Sequence, residues 1–134
     1  MPLYVDTSAL LKRYVDEPDS ERCEALLLAD PVWVTGRHTS VEVRRNLPRL
    51  LEGEPLAVAR EQFATDWRRM NVVELDEHTC EIAADVAEAT GARTLDALHL
   101  GALSRAGKGA LSLLTFDVRL AQAGRALGVT VLGA

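Results

Sequence analysis

Short apolar runs alternate along the chain with longer stretches in which apolar residues recur at helical spacing. Residues 2–5, 32–35, 72–75, 110–115 and 129–132 form the runs. Each holds β-branched or aliphatic members, and turn residues such as Asp30-Pro31, Gly107-Lys108-Gly109 and Gly128 introduce three of them. Continuous apolar runs of this length suit strands covered on both faces. Between them, Leu10, Leu11 and Tyr14 predict a first helix that stops before Asp16-Glu17-Pro18. Cys23, Leu26 and Leu27 predict a second, capped by Asp19. Val43, Leu47, Leu50 and Leu51 follow the i, i+4, i+7, i+8 pattern and predict a third from about Ser40 to Leu51, with Pro48 inside it. Leu56, Phe63, Trp67 and Met70 mark a fourth, and Ile82, Val86 and Ala87 a fifth. Leu95, Leu98 and Ala102 mark a sixth, and Leu120, Ala123 and Leu127 a seventh. Glycines near the ends of the last three are stop signals.

Strand–helix alternation predicts an α/β fold, a three-layer α/β/α sandwich around a central, mainly parallel five-stranded sheet. No linker or repeat divides residues 1–134, so the expectation is a single domain. In parallel sheets, ligands bind beyond the carboxyl ends of the strands. Candidate chemistry is therefore sought after residues 5, 35, 75, 115 and 132.

Acids stand in marked positions there. Asp6 follows the first strand and Asp117 the fourth, while Glu42 and Asp96 lie near helix starts. Helix N-termini in such a fold point to the same edge, so the four carboxylates are expected to converge. Convergent oxygens suit a hard divalent cation, Mg²⁺ or Mn²⁺. Each acid also has an ordinary explanation. Asp6 and Asp117 suit helix caps, Thr39-x-x-Glu42 reads as a capping box, and Asp96 complements a helix dipole.

The words around these acids resemble the PIN-domain family, and within it the VapC ribonuclease toxins of bacterial and archaeal toxin–antitoxin pairs. Tyr4-Val5-Asp6-Thr7-Ser8-Ala9-Leu10 resembles the family's first motif, and Thr39-Ser40-Val41-Glu42-Val43 its second. Leu95-Asp96-Ala97-Leu98-His99-Leu100 is similar to the third, and Leu114-Thr115-Phe116-Asp117 to the fourth. The motifs run the length of the chain in order. The resemblance implies metal-dependent endoribonuclease activity with Mg²⁺ or Mn²⁺ and an RNA substrate. It places Asp6, Glu42, Asp96 and Asp117 at the metal and catalytic site, with Ser8, Thr115 and His99 in support. It also implies a homodimer and a small VapB-like protein antitoxin, while the two cysteines, far apart and without CxxC spacing, are expected to be thiols in a reducing cytoplasm. Val118 and Arg119 follow Asp117, where some members carry a further acid.

Charge refines this picture. The chain carries a net charge of −5, which alone argues against nucleic-acid binding. Residues 36–70 nevertheless hold 7 basic and 5 acidic groups, the one positive segment. Arg37, Arg44, Arg45 and Arg49 crowd the Glu42 helix and are candidate RNA contacts, as are Lys12 and Arg13; a solvated face is the alternative. Arg93 is expected to pair with an acid. Trp33 and Trp67 read as core, His38 and His78 as exposed, and Cys23 and Cys80 as two buried thiols. His99, three residues after Asp96, has that carboxylate as a potential partner. Leu10, Leu11, Tyr14, Leu50, Leu51, Leu56, Val58, Phe63 and Trp67 exceed what one core obviously needs, and some of them are expected to supply the dimer seam and antitoxin groove.

No apolar run is long enough to span a membrane, and no secretory leader is read. No serine triad or phosphate loop is present. Two alternatives remain. A receiver-like phosphoacceptor domain shares the alternation but pairs acids after its first strand. A non-catalytic PIN-like module would bind only RNA or protein.

Overall fold

The computed structural model describes all 134 residues. The five strands are β1 (Leu3–Val5), β2 (Trp33–Gly36), β3 (Asn71–Val73), β4 (Ser112–Thr115) and β5 (Thr130–Gly133). They pair only in parallel, in the order β3-β2-β1-β4-β5. The sheet is thus wholly parallel. Its order also separates it from the receiver architecture, whose strands run 2-1-3-4-5.

Strand pleating divides the interior into two cores. Leu3, Val5, Trp33 and Leu114 face one side, and pack with helices α1 (Thr7–Tyr14), α2 (Ser20–Leu28), α3 (His38–Leu50) and α4 (Gly53–Arg69). Tyr4, Val34 and Leu113 face the other, under α5 (Glu77–Thr90), α6 (Thr94–Gly107) and α7 (Val118–Ala126). The chain builds outward from β1 to β3 with its first four helices. It then returns across the sheet and builds β4 and β5 with the last three.

Several local expectations are corrected. Helix α3 starts at His38, so Thr39 lies inside it, and its hydroxyl bonds Thr35 Oγ1 at 2.7 Å. No capping box forms with Glu42. Leu50 faces outward at 50% exposure. On α6, Leu95 is also outward, at 50%, whereas Asp96, Ala97, His99, Leu100 and Leu103 are buried. This helix touches β2, α5 and α7, and small residues set its closest approach. A Cβ on Gly101 would lie 2.8 Å from that of Ala83 on α5. Only Cys23 is buried, and burial pushes its thiol up to about 12, whereas Cys80 is exposed. Trp33 is buried and Trp67 half-buried. His78 is exposed, as its isolated position in the sequence suggests.

Candidate active site

Strand order reverses between β1 and β4, so the residues that leave these two strands face one crevice. Asp6 leaves β1 and caps α1, accepting the Ala9 N–H at 2.9 Å. Its carboxylate is only 3% exposed. Ser8 Oγ donates to both its oxygens, at 2.8 and 2.9 Å, and Thr115 Oγ1 donates to Oδ2 at 2.6 Å. Burial raises the Asp6 pKa, opposed by the charge of His99 and by these hydrogen bonds. The two hydroxyls also tie the strand ends together. Ser8 Oγ accepts the Phe116 N–H at 2.9 Å, and Thr115 Oγ1 accepts the Asp117 N–H at 3.0 Å.

Asp117 caps α7, taking the N–H groups of Arg119 and Leu120. Asp96 lies in the first turn of α6 and is 6% exposed. Arg93 joins the two. Its guanidinium reaches Asp96 Oδ2 at 3.0 Å and Asp117 Oδ2 at 3.5 Å.

Glu42 has its own set of partners. Its Oε1 accepts from Thr7 Oγ1 at 2.9 Å and lies 2.9 Å from His99 Nε2. The Tyr4 hydroxyl lies 2.8 Å from His99 Nδ1 and accepts the Gly36 N–H at 3.1 Å. Burial raises the Tyr4 pKa far above its ordinary value, so the phenol keeps its proton and donates it to Nδ1. His99 then carries its own proton on Nε2, directed at Glu42. Burial pushes the Glu42 pKa up, but the His99 and Thr7 hydrogen bonds outweigh it, and the carboxyl titrates below its usual range. His99 therefore orients Glu42, and makes no hydrogen bond to Asp96.

His38 is buried at 8% exposure, contrary to its solitary look in the sequence. Its ring lies against that of His99, with centroids 4.1 Å apart and the planes inclined by 47°. Gly36 makes the room, since a Cβ there would lie 2.6 Å from His38 Cε1 and 2.7 Å from Nδ1. Gly36→Ala should therefore cost about 1–3 kcal/mol of stability, read as a lower urea midpoint, because an overpacked core cannot shed the clash freely.

The arginines divide. Arg44 and Arg45 are exposed and line a groove of ≈ 1060 Å³ between α3 and α4, with Arg37, Arg60, Val41 and Trp67. Arg49 is exposed on the last turn of α3. Arg37 is held by Glu74. The second basic patch does not exist as free charge. Arg13 is committed to Asp66 and Glu24, and Lys12 lies 3.6 Å from Glu17.

A PIN domain model matches residues 3–126. The chain belongs to the PIN-domain family. Over 130 residues it is 30% identical to Ribonuclease VapC46 of Mycobacterium tuberculosis, covering 97% of this chain and 95% of that protein. Among solved structures it is similar to M. tuberculosis VapC20, a sarcin–ricin loop cleaving toxin, with a TM-score of 0.72 at 19% identity, covering 91% and 95% of the two chains. It is also similar to a toxin–antitoxin complex from Klebsiella pneumoniae, with a TM-score of 0.67 at 14% identity over 87% and 88%. With PIN membership and this strand order, the receiver alternative falls away.

Proposed function

We propose that residues 1–134 form a single divalent-cation-dependent endoribonuclease domain, the toxin of a toxin–antitoxin pair, working in the cytoplasm against RNA. The observation that carries this reading is the buried Asp6 carboxylate, braced by Ser8 and by Thr115, whose hydroxyl also takes the N–H of Asp117, one of the two acids that share Arg93. The name of the VapC46 relative and the titles of the similar structures support it. No helix is long and apolar enough to cross a membrane.

The donor set fits Mg²⁺ or Mn²⁺, because it is all oxygen and a guanidinium already bridges two of its carboxylates. Asp6, Asp96 and Asp117 would hold the ion, with Glu42 directly or through water. When bound, such a cation polarises a phosphodiester oxygen and acidifies water. Ser8 and Thr115 fix the Asp6 oxygens. Glu42, ionised and oriented by His99, accepts a proton from the attacking water. Arg93, with 53% of its side chain exposed, is free to exchange its carboxylates for an RNA phosphate.

Purified protein should cleave RNA with Mg²⁺ or Mn²⁺, stop with EDTA and recover on readdition. Cleavage that persists in EDTA would overturn the metal-dependent reading, and RNA binding without cleavage would support the non-catalytic alternative.

Arg44, Arg45 and Arg49 are assigned to RNA phosphates. Alanine at one of them should weaken RNA binding and lower the salt slope by about 0.7 per lost single-strand contact, measured by titration at several ionic strengths. An unchanged slope returns that side chain to the solvated face. The antitoxin is assigned to the α3–α4 groove with its exposed Val41, and a homodimer to the outward apolar residues Leu50 and Val58. Most of the other apolar residues expected at those seams are already spent in the first core.

A further inference from the structure

We propose that His38, Glu42 and His99 form a site for a borderline transition-metal ion, Zn²⁺ being the best fit, distinct from the all-oxygen acidic site and sharing only Glu42 with it. Helix α3 presents His38 and Glu42 one turn apart, and α6 brings His99 across to them. One ligand atom from each lies within 4.8 Å of the other two. Glu42 Oε1 is 2.9 Å from His99 Nε2 and 3.9 Å from His38 Nε2. In a tetrahedral zinc site with bonds of about 2.0–2.1 Å, neighbouring ligand atoms lie about 3.4 Å apart. The three groups therefore reach ligating geometry through small side-chain shifts.

The buried His38 ring is the second, independent sign. It is 8% exposed, and neither ring nitrogen has a hydrogen-bond partner. Buried polar atoms without partners cost stability and call for an explanation. The tilted contact with His99 leaves the His38 ring with Nε2 3.9 Å from Glu42 Oε1. Neither nitrogen is engaged by the protein, so an imidazole lone pair is open to a metal. His99 ligates through Nε2 once its proton moves to Nδ1, where it donates to the Tyr4 oxygen at 2.8 Å while the phenol proton turns from Nδ1 to the Thr35 hydroxyl. Such a partner behind a ligating imidazole fixes its tautomer and orientation. Two imidazoles and one carboxylate select Zn²⁺, Co²⁺ or Ni²⁺ over Mg²⁺. Glu42, with 21% of its side chain exposed, gives the ion its way in and leaves a fourth position for water. On the nuclease reading above, an ion here withdraws Glu42 from the acidic site, and Zn²⁺ becomes an inhibitor.

The test is Co²⁺ titration of the purified, chelator-treated chain, read by visible d–d absorption without RNA. Its outcome is thus independent of any nuclease activity. Wild type and Asp117→Asn should both show an intense low-symmetry band saturating at one ion per chain, bleached by Zn²⁺ and insensitive to excess Mg²⁺. His38→Gln should weaken Co²⁺ binding by about a hundredfold or more, the upper end of what losing even a supporting group costs a metal site. An absent band in wild type overturns the proposal. So does a band unchanged in His38→Gln, or one lost in Asp117→Asn and kept in His38→Gln. If His38→Gln does not fold, Cu²⁺-loaded wild type decides by electron paramagnetic resonance. Two imidazole nitrogens support the site, and none defeats it.

Discussion

Asp6→Asn should reduce RNA cleavage by roughly a thousandfold or more, the factor that corresponds to losing several kcal/mol of cation-borne transition-state stabilisation. The same substitution should leave the melting temperature unchanged or higher. Burial raises the Asp6 pKa in the folded chain, so its ionised form costs stability above the usual carboxylate range. A neutral amide removes that cost. Asparagine also keeps an oxygen for the Ala9 N–H, so α1 retains a good cap. The Thr115 hydroxyl can rotate to accept from the new amide. Activity and stability should thus separate, which a purely structural role for Asp6 does not predict. Multiple-turnover cleavage and a thermal melt on the same preparation check both. Undiminished cleavage would remove Asp6 from the proposed machinery.

All five strands were legible as short apolar runs, but only the three central ones, Leu3–Val5, Trp33–Gly36 and Ser112–Thr115, are buried throughout, while the edge strands β3 and β5 are half-buried or exposed. The parallel three-layer architecture followed from alternation alone. The order β3-β2-β1-β4-β5 did not, since pairings between distant strands leave no local pattern. Helix faces were legible where a helix has one wet side, as on α3 around Val43 and Leu47. On α6 the expectation held for Leu98 and Ala102 and failed for Leu95, which is exposed, while Ala97 and Gly101 are small buried residues that a search for large apolar side chains passes over.

At the candidate site, position was easier to read than partnership. The carboxyl-edge rule pointed to Asp6 and Asp117 before any coordinates. The Arg93 pairing was anticipated, but not that one guanidinium would serve both Asp96 and Asp117. His38 was missed because its signal is a void, the missing Cβ of Gly36 two residues earlier. The Thr39-x-x-Glu42 spacing misled, because helix α3 begins two residues too early for Thr39 to act as a cap. Tyr4 and His99, 95 positions apart, meet only through the sheet. Lys12 and Arg13 looked like free charge because their acids come from other segments, Glu17, Glu24 and Asp66.

Asp66→Ala should be among the most destabilising single substitutions, costing about 3–5 kcal/mol. Asp66 is 2% exposed on α4. It accepts Arg13 Nε at 2.8 Å, Arg13 Nη2 at 3.3 Å and the Tyr14 hydroxyl at 2.8 Å. The carboxylate thus binds α1 to α4 through two side chains that have little contact with water. Burial, and then the charge of Asp66, push the Tyr14 phenol far up, so it stays a donor. Truncation leaves a guanidinium and a phenol facing a small cavity, with Glu24 alone to balance the charge. Asp66→Asn retains one acceptor and should lose less. The urea midpoint should fall for both at an unchanged denaturant slope, which identifies a change in stability rather than in the unfolded state. A loss below about 1 kcal/mol would mean the pair behaves like an exposed salt bridge, contrary to its burial. Replacing Arg13 and Asp66 together by Met and Leu separates the cause. Recovery of most of the lost stability would show that the damage comes from the stranded charge and donors, and that packing of α1 on α4 through Phe63 and its neighbours holds without the ion pair.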